Sequence, residues 1–324
     1  MKKFLLLSIV FFCFVSTSCF VTTKAIDTVS TSLSGSNRKG IPQKKKKTEK
    51  PGAMFAITSD SDITLVGDFF PTALKMYEII QSQNPDHLGL LCMTGSLNVM
   101  YANAFVQSPA DLLGIEDFEK QNEEYFRAKA HYLKGRNFCM DALNGRHKGF
   151  KNLIDSGDEA SIEKACSMLD KNDVTAAYWA GAGWLGAFSL DPLDPELLGN
   201  LSAPVAILEK ADKLDPYYSD GAILEVLARF YAAAPESFGG SMEKAVEYCD
   251  RALELTNGTT PNPYIIRAEC FCIPAGDEDG FVSNLNKALA INPDANPSTR
   301  LTTTISQRKA AKLLASKGDY FLEW

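Results

Sequence analysis

From Ser59 onward the chain has few alternations of Val, Ile or Thr with polar residues and many apolar residues three and four apart. Leu74, Tyr77 and Ile80 show the pattern, and so do Leu208, Ala211 and Leu214. Such spacing lines up one face of a helix and scrambles the two faces of a strand, so the body is expected to be all-α. Pro and Gly interrupt it at Pro85, Pro109, Gly157, Pro192, Pro195, Pro216, Pro235, Gly258, Pro274 and Pro293. The intervals leave roughly a dozen helices of ordinary length, which suits antiparallel helix pairs. With 45% of 324 residues hydrophobic, there is enough apolar material for a sizeable core.

Charge divides the chain. Residues 20–53 hold eight Lys or Arg against Asp27 and Glu49, while the 271 residues after them hold 23 basic and 38 acidic groups. An acidic body is a poor surface for nucleic acid, because phosphate binding needs clustered cations. Ahead of this lie Met1, Lys2 and Lys3, an apolar run from Phe4 to Val15, then Ser16, Thr17, Ser18 and Cys19. Twelve apolar residues make about 18 Å of helix, short of the roughly 30 Å of a bilayer core, so residues 1–18 read as an export signal. No later segment matches its apolarity, and the mature protein is not expected to cross a membrane. The Ser-Thr-Ser-Cys end resembles the lipobox of bacterial lipoproteins, which implies lipidation at Cys19 and a membrane anchor; Ser16 departs from the usual Leu. Residues 19–53, rich in Ser, Thr and Lys, read as a flexible basic linker. If flexible, the linker spans about 30 Å, and Lys44 to Lys47 are positioned to touch anionic headgroups.

Residues 54–324 carry internal repeats. The second helix of a tetratricopeptide repeat has a small residue, a large one four on, a small one three further, and a Pro five beyond. Ala73, Tyr77, Ile80 and Pro85 keep these offsets, as do Ala245, Cys249, Ala252 and Asn257, Pro204, Leu208, Ala211 and Pro216, and Phe281, Leu285, Ala288 and Pro293. Small residues let helices approach to about 8–10 Å. Leu227, Ala228 and Tyr231 keep a first-helix spacing, and so do Trp179, Ala182 and Gly183. Insertions at 191–199 and 235–240 make the repeats irregular. Phe238-Gly239-Gly240-Ser241 leads into Glu243-Lys244-Ala245, then Arg251-Ala252-Leu253-Glu254-Leu255, Asn262-Pro263-Tyr264, Lys287-Ala288-Leu289-Ala290-Ile291-Asn292-Pro293 and Gln307-Arg308-Lys309-Ala310. This order resembles the TatT-type T components, TPR-like periplasmic lipoproteins associated with tripartite ATP-independent periplasmic (TRAP) transporters. The resemblance implies a binding and assembly protein with no catalytic residues and no cofactor. It also implies pairing with the transporter's solute-binding P component, a homotrimer, and an apolar passage through each protomer for a hydrophobic small molecule or lipid.

The residues offer little chemistry of their own. His87, His131 and His147 stand apart without metal-ligand spacing, and no nucleophile elbow, Walker loop or His-Glu-x-x-His occurs. Asp191, Asp194 and Glu196 sit beside prolines and read as turn and cap residues. Cys92, Cys139, Cys166, Cys249, Cys270 and Cys272 read as small core residues, since no Cys-x-x-Cys pattern appears. The richest apolar feature is Tyr178-Trp179 through Trp184 to Phe188. If Trp179, Ala182 and Gly183 make the contact within a repeat, Trp184 and Phe188 point to the concave side. There they would line a ligand groove with Tyr178, Met100, Val99, Glu225 and Arg229; the competing reading makes the aromatics core. Besides a transporter-associated lipoprotein, a freestanding hydrophobic-ligand carrier and a TPR scaffold for envelope assembly fit the same residues.

Overall fold

The computed structural model describes residues 24–43 and 53–321, and every regular element among them is helical apart from an isolated bridge between Ser36 and Pro42. Cys19, the apolar run before it and Lys44 to Lys47 lie outside the described residues. Residues 24–34 form α1. After it come α2 (Ile63–Gln83), α3 (Leu88–Tyr101), α4 (Phe118–Arg146), α5 (Glu159–Met168), α6 (Val174–Leu190) and α7 (Ser202–Leu214). The C-terminal part holds α8 (Ala222–Ala233), α9 (Met242–Thr256), α10 (Asn262–Ile266), α11 (Glu278–Leu289) and α12 (Arg300–Ala315).

The centre is the antiparallel trio α3, α4 and α6, and glycines set its spacing. A Cβ on Gly95 would lie 2.5 Å from Cys139 Sγ and 2.7 Å from the Gly135 carbonyl oxygen, and one on Gly183 would lie 2.9 Å from that of Tyr132. The helices therefore meet backbone to backbone, closer than side chains would permit. The continuous helix Leu88–Ala110 is long and apolar enough by length and composition to cross a membrane. Two-thirds of its most apolar window (67%) is buried inside the bundle, as befits a core helix.

The C-terminal pairs pack through side chains. On α8 and α9, Tyr231 and Tyr248 stack at 5.7 Å, and on α12 the Gln307 amide donates to the carbonyls of Ala288, Leu289 and Ile291 at the end of α11. The recurring offsets are core positions. Leu208 and Ala211, Ala245, Cys249 and Ala252, and Phe281, Leu285 and Ala288 are fully buried, whereas on α2 Ala73 is buried and Tyr77 and Ile80 are half-buried. The Phe-Gly-Gly-Ser turn is shaped by its glycines. Gly239 has φ +91°, a Cβ on Gly240 would fall 1.7 Å from the Ala234 carbonyl oxygen, and Ser241 then caps α9 by accepting from the Lys244 N–H at 3.3 Å. The six cysteines among the described residues are unpaired thiols; Cys92 and Cys270 are half-buried and the other four buried.

One expectation is corrected. Residues 24–43 do not form a flexible linker, because α1 and the loop after it dock on the α2–α3 turn. Ser30 and Ser34 are buried, Asn84 Nδ2 donates to Ser30 Oγ at 3.3 Å, Thr31 Oγ1 lies 3.0 Å from His87 Nε2, and Tyr77 donates to the Leu33 carbonyl at 3.1 Å. Polar composition suggested solvation, but here small hydroxyl side chains fit a tight helix contact and find partners there.

Candidate functional site

Two helical stretches widen into π-turns, at Ala102–Gln107 and Arg267–Cys272, just before Pro109 and Pro274. A proline lacks the N–H that would bond four residues back, and its ring crowds that carbonyl. Those positions, Phe105 and Cys270, lie inside the π-turns, which take up the strain by opening the spiral. The first turn delivers Asp111 just beyond its end, and the second carries Glu269.

Around Glu269 the neighbouring elements converge. Arg229 Nη1 of α8 donates to Glu269 Oε2 at 2.8 Å, and Lys309 Nζ of α12 lies 2.8 Å from Glu269 Oε1. One turn earlier on α8, Glu225 Oε2 accepts from Asn262 Nδ2 at 2.9 Å, and Asn262 Oδ1 accepts from the Ser306 hydroxyl at 2.7 Å. Tyr125 donates to Asp111 Oδ1 at 3.0 Å. Glu225 and Arg229 are part-buried and retain some accessible surface. The seam leads into a cavity of about 380 Å³ whose lining includes Asp111, Ile115, Glu269, Lys309, Lys312 and Tyr320.

Burial and charge set the protonation states along this seam. Burial pushes the Glu225 carboxyl up to about 7, only partly offset by the Asn262 hydrogen bond and by Arg229. Asp111 is also raised by burial, against Lys309 and the Tyr125 bond. Burial acts on Glu269 in the same sense, but Arg229 and Lys309 outweigh it and hold the carboxyl below its ordinary value. Glu269 is thus the fixed anion of the cluster, and Glu225 is poised near neutrality.

Tyr178, on α6, belongs to an aromatic cluster. Tyr178 meets Trp179 edge-on at 4.7 Å and Tyr218 at 5.2 Å. Its hydroxyl is raised by burial, then by Tyr218 and Glu225. Of the residues assigned to a groove from sequence, Glu225 and Arg229 stand in the charged seam, while Tyr178, Met100 and Phe188 are half-buried against the main core. Trp184 and Val99 are core residues, 5% and 3% exposed, and at these two positions the open groove face is corrected. The Arg136 guanidinium stacks 4.8 Å over the Trp184 ring, because α6 is covered on the side that helix phase had left free. Asp194 is the N-cap of the short helix Pro195–Gly199, and Lys129 bridges it to Asp191 at 2.7 and 2.8 Å, so this carboxylate group serves the turn.

Sequence reading missed Glu269, Lys309, Asn262 and Asp111. One signal was available for Glu269, a lone carboxylate in Ala268-Glu269-Cys270-Phe271, where both flanks read as core.

Similarity to known proteins agrees with this architecture. An uncharacterized protein of Treponema pallidum (strain Nichols) is 42% identical over 266 residues, which cover 82% of each chain. Residues 59–321 match the family described as TRAP transporter T-component, a span that takes in the central trio, both π-turns and the charged seam. The chain belongs to that family, and is an accessory component associated with the periplasmic side of a TRAP transport system.

Proposed function

We propose that this T component is a lipoprotein, anchored through Cys19, that docks the solute-binding P component and offers an amphiphilic ligand a passage through its interior. The apolar part of the ligand would lie against Tyr178, Trp179 and Tyr218, and its polar head would reach the Arg229, Glu269 and Lys309 cluster. The observation that carries this reading is that Glu269 and Lys309, paired in the charged seam, also line the 380 Å³ cavity. A wholly apolar passage accords less well with a wall that holds two cations and two carboxylates, whose burial is tolerable only while they are paired or solvated.

The test is paired. Binding of a fluorescent fatty acid and capture of the purified solute-binding subunit are measured for the wild type, Tyr178→Ala and Lys309→Ala, each with a thermal melt. Loss of an aromatic contact contributing about 2 kcal/mol should weaken probe binding by tens-fold, while capture of the subunit persists. Probe affinity unchanged in both variants would refute the passage. Probe binding with no capture of the subunit would favour a freestanding carrier, and capture of extended envelope peptides alone a TPR scaffold.

A further inference from the structure

Lys24, where α1 begins, is only five chain steps beyond Cys19, with four residues between them. Fully extended, those steps reach at most about 18 Å. A free linker running to residue 53 would instead hold the body off by about 30 Å. We propose that the acylated chain is held against an anionic bilayer surface by the α2–α3 turn, with the charged cavity at the opposite end of the bundle. The proposal rests on the anchoring of Cys19 stated above, and adds orientation and distance to it.

The contacts of α1 fix its direction. Leu33 lies beside Tyr77, midway along the second half of α2, whereas Asp27 and Ser30 lie beside Asn84, at the end of α2. The helix therefore runs antiparallel to α2, and its first turn lies at the α2–α3 turn. The loop after α1 folds back to the same place. The Leu88 N–H donates to the Arg38 carbonyl at 2.9 Å, and the Arg38 side chain lies 3.5 Å from Asp27 and 3.8 Å from Asp86. Gly89 leaves no slack, since a Cβ there would sit 2.7 Å from Ser36 Cβ. Arg38 and Lys39 are exposed at this end, where cations favour an anionic headgroup layer.

The cavity lies elsewhere. The helix that starts at Leu88, next to the anchored turn, continues for 23 residues to Ala110, a rise of about 34 Å. At its far end the chain enters the segment Asp111–Ile115, which walls the cavity. A leash of about 18 Å at one end of a helix about 34 Å long keeps the cavity in the aqueous space, open to a soluble partner.

The experiment uses the full acylated chain in phosphatidylcholine vesicles containing phosphatidylglycerol and a quencher on the lipid headgroups. Fatty-acid labelling is read first. In a background of Cys92→Ser and Cys270→Ser, the two part-exposed thiols, a fluorophore is placed at Asp86→Cys or at Ile115→Cys. Quenching should be several-fold stronger at position 86 than at 115. Insertion of about 15 Gly-Ser residues between Phe20 and Val21 should abolish the difference. No fatty-acid labelling would overturn the anchoring and the orientation with it. Labelling with equal quenching at both positions, or quenching unmoved by the insertion, would overturn the orientation alone.

Discussion

The central helices α3 and α6 are apolar around their whole circumference, whereas α8, α9 and α11 each carry one apolar face and one wet one. The first region packs by bringing backbones together at Gly95, Gly135 and Gly183; the second packs by fitting side chains at Ala245, Cys249, Ala252, Phe281 and Leu285. Helix phase carries information only where one face meets water. In α9 and α11 a residue's position around the helix decides whether it is buried, so recurring offsets in the sequence find the core. In α6 every direction meets protein, and phase cannot separate a groove from a core. The charged seam lies where the two regions meet, among α8, α10, α12 and the second π-turn.

The largest effect that can break this comparison is at Trp184. As a ring buried in the central trio, its truncation to Ala should cost about 3–5 kcal/mol. Phe188→Ala, at a half-buried position, should cost distinctly less. Chemical denaturation of both variants checks this; equal and small losses would mean that α6 has a free face after all. The indole N–H of Trp184 has no acceptor among the described residues, so Trp184→Phe should recover most of the loss by removing an unsatisfied donor.

The same contrast explains what could be read beforehand. The all-helical class followed from spacing and punctuation, and the turn chemistry at Gly239, Gly240, Ser241 and Asn257 followed from residue type. Asn257 takes φ 50° to end α9 where other repeats have Pro. Spacing could group Glu225 and Arg229 because they share a face of an amphipathic helix. Glu269 and Lys309 could not be grouped with them, because their pairing comes from a junction that no single helix encodes, and Asp111 follows a π-turn imposed by Pro109, which helical spacing does not announce. The docking of α1 was hidden for another reason: Ser30 and Thr31 belong to a composition typical of linkers, and only their partners at Asn84 and His87 make them structural.

The next effect sharpens the seam. The folded-state pKa of Glu225 is raised to about 7 by burial, above its ordinary 4.5, so between those values the folded protein binds more protons than the unfolded chain. The corresponding stability is fully present below about pH 4.5 and is lost as pH rises through about 7. Asp111, raised in the same direction, adds to the slope. Glu225→Gln keeps an oxygen for the Asn262 amide but cannot ionise. It should flatten the decline between those pH values, a difference on the order of 3 kcal/mol above pH 7. Parallel slopes for variant and wild type would place Glu225 in contact with bulk water.

The smallest effects contrast two helix caps, one in each region. Ser241 caps α9 with a hydroxyl, which has no charge to change. Ser241→Ala should cost about 1 kcal/mol at any pH. His87 caps α3 with its ring: Nδ1 accepts from the Leu90 N–H at 3.0 Å, so the proton resides on Nε2 and points to Thr31 Oγ1. Burial, with Asp27 opposing it, holds His87 below its ordinary pKa of 6.5. For a histidine lowered in the folded state, the unfolded chain takes up the proton first, so stability is present above about 6.5 and falls as pH drops below it. This is the opposite sign to Glu225. The Leu90 N–H also reaches the His87 carbonyl at 3.0 Å, so protonation of Nδ1 removes one of its two acceptors, and one event loosens the start of α3 and the seat of α1. Amide hydrogen exchange should therefore rise at Leu90 and across residues 24–34 as pH is lowered from 7 to about 5, after correction for intrinsic rates. The amide of Lys244, bonded to Ser241, should not change over that interval. Equal protection of both caps at the two pH values would show that His87 holds α3 by packing alone, and that the seat of α1 does not depend on the charge of its ring.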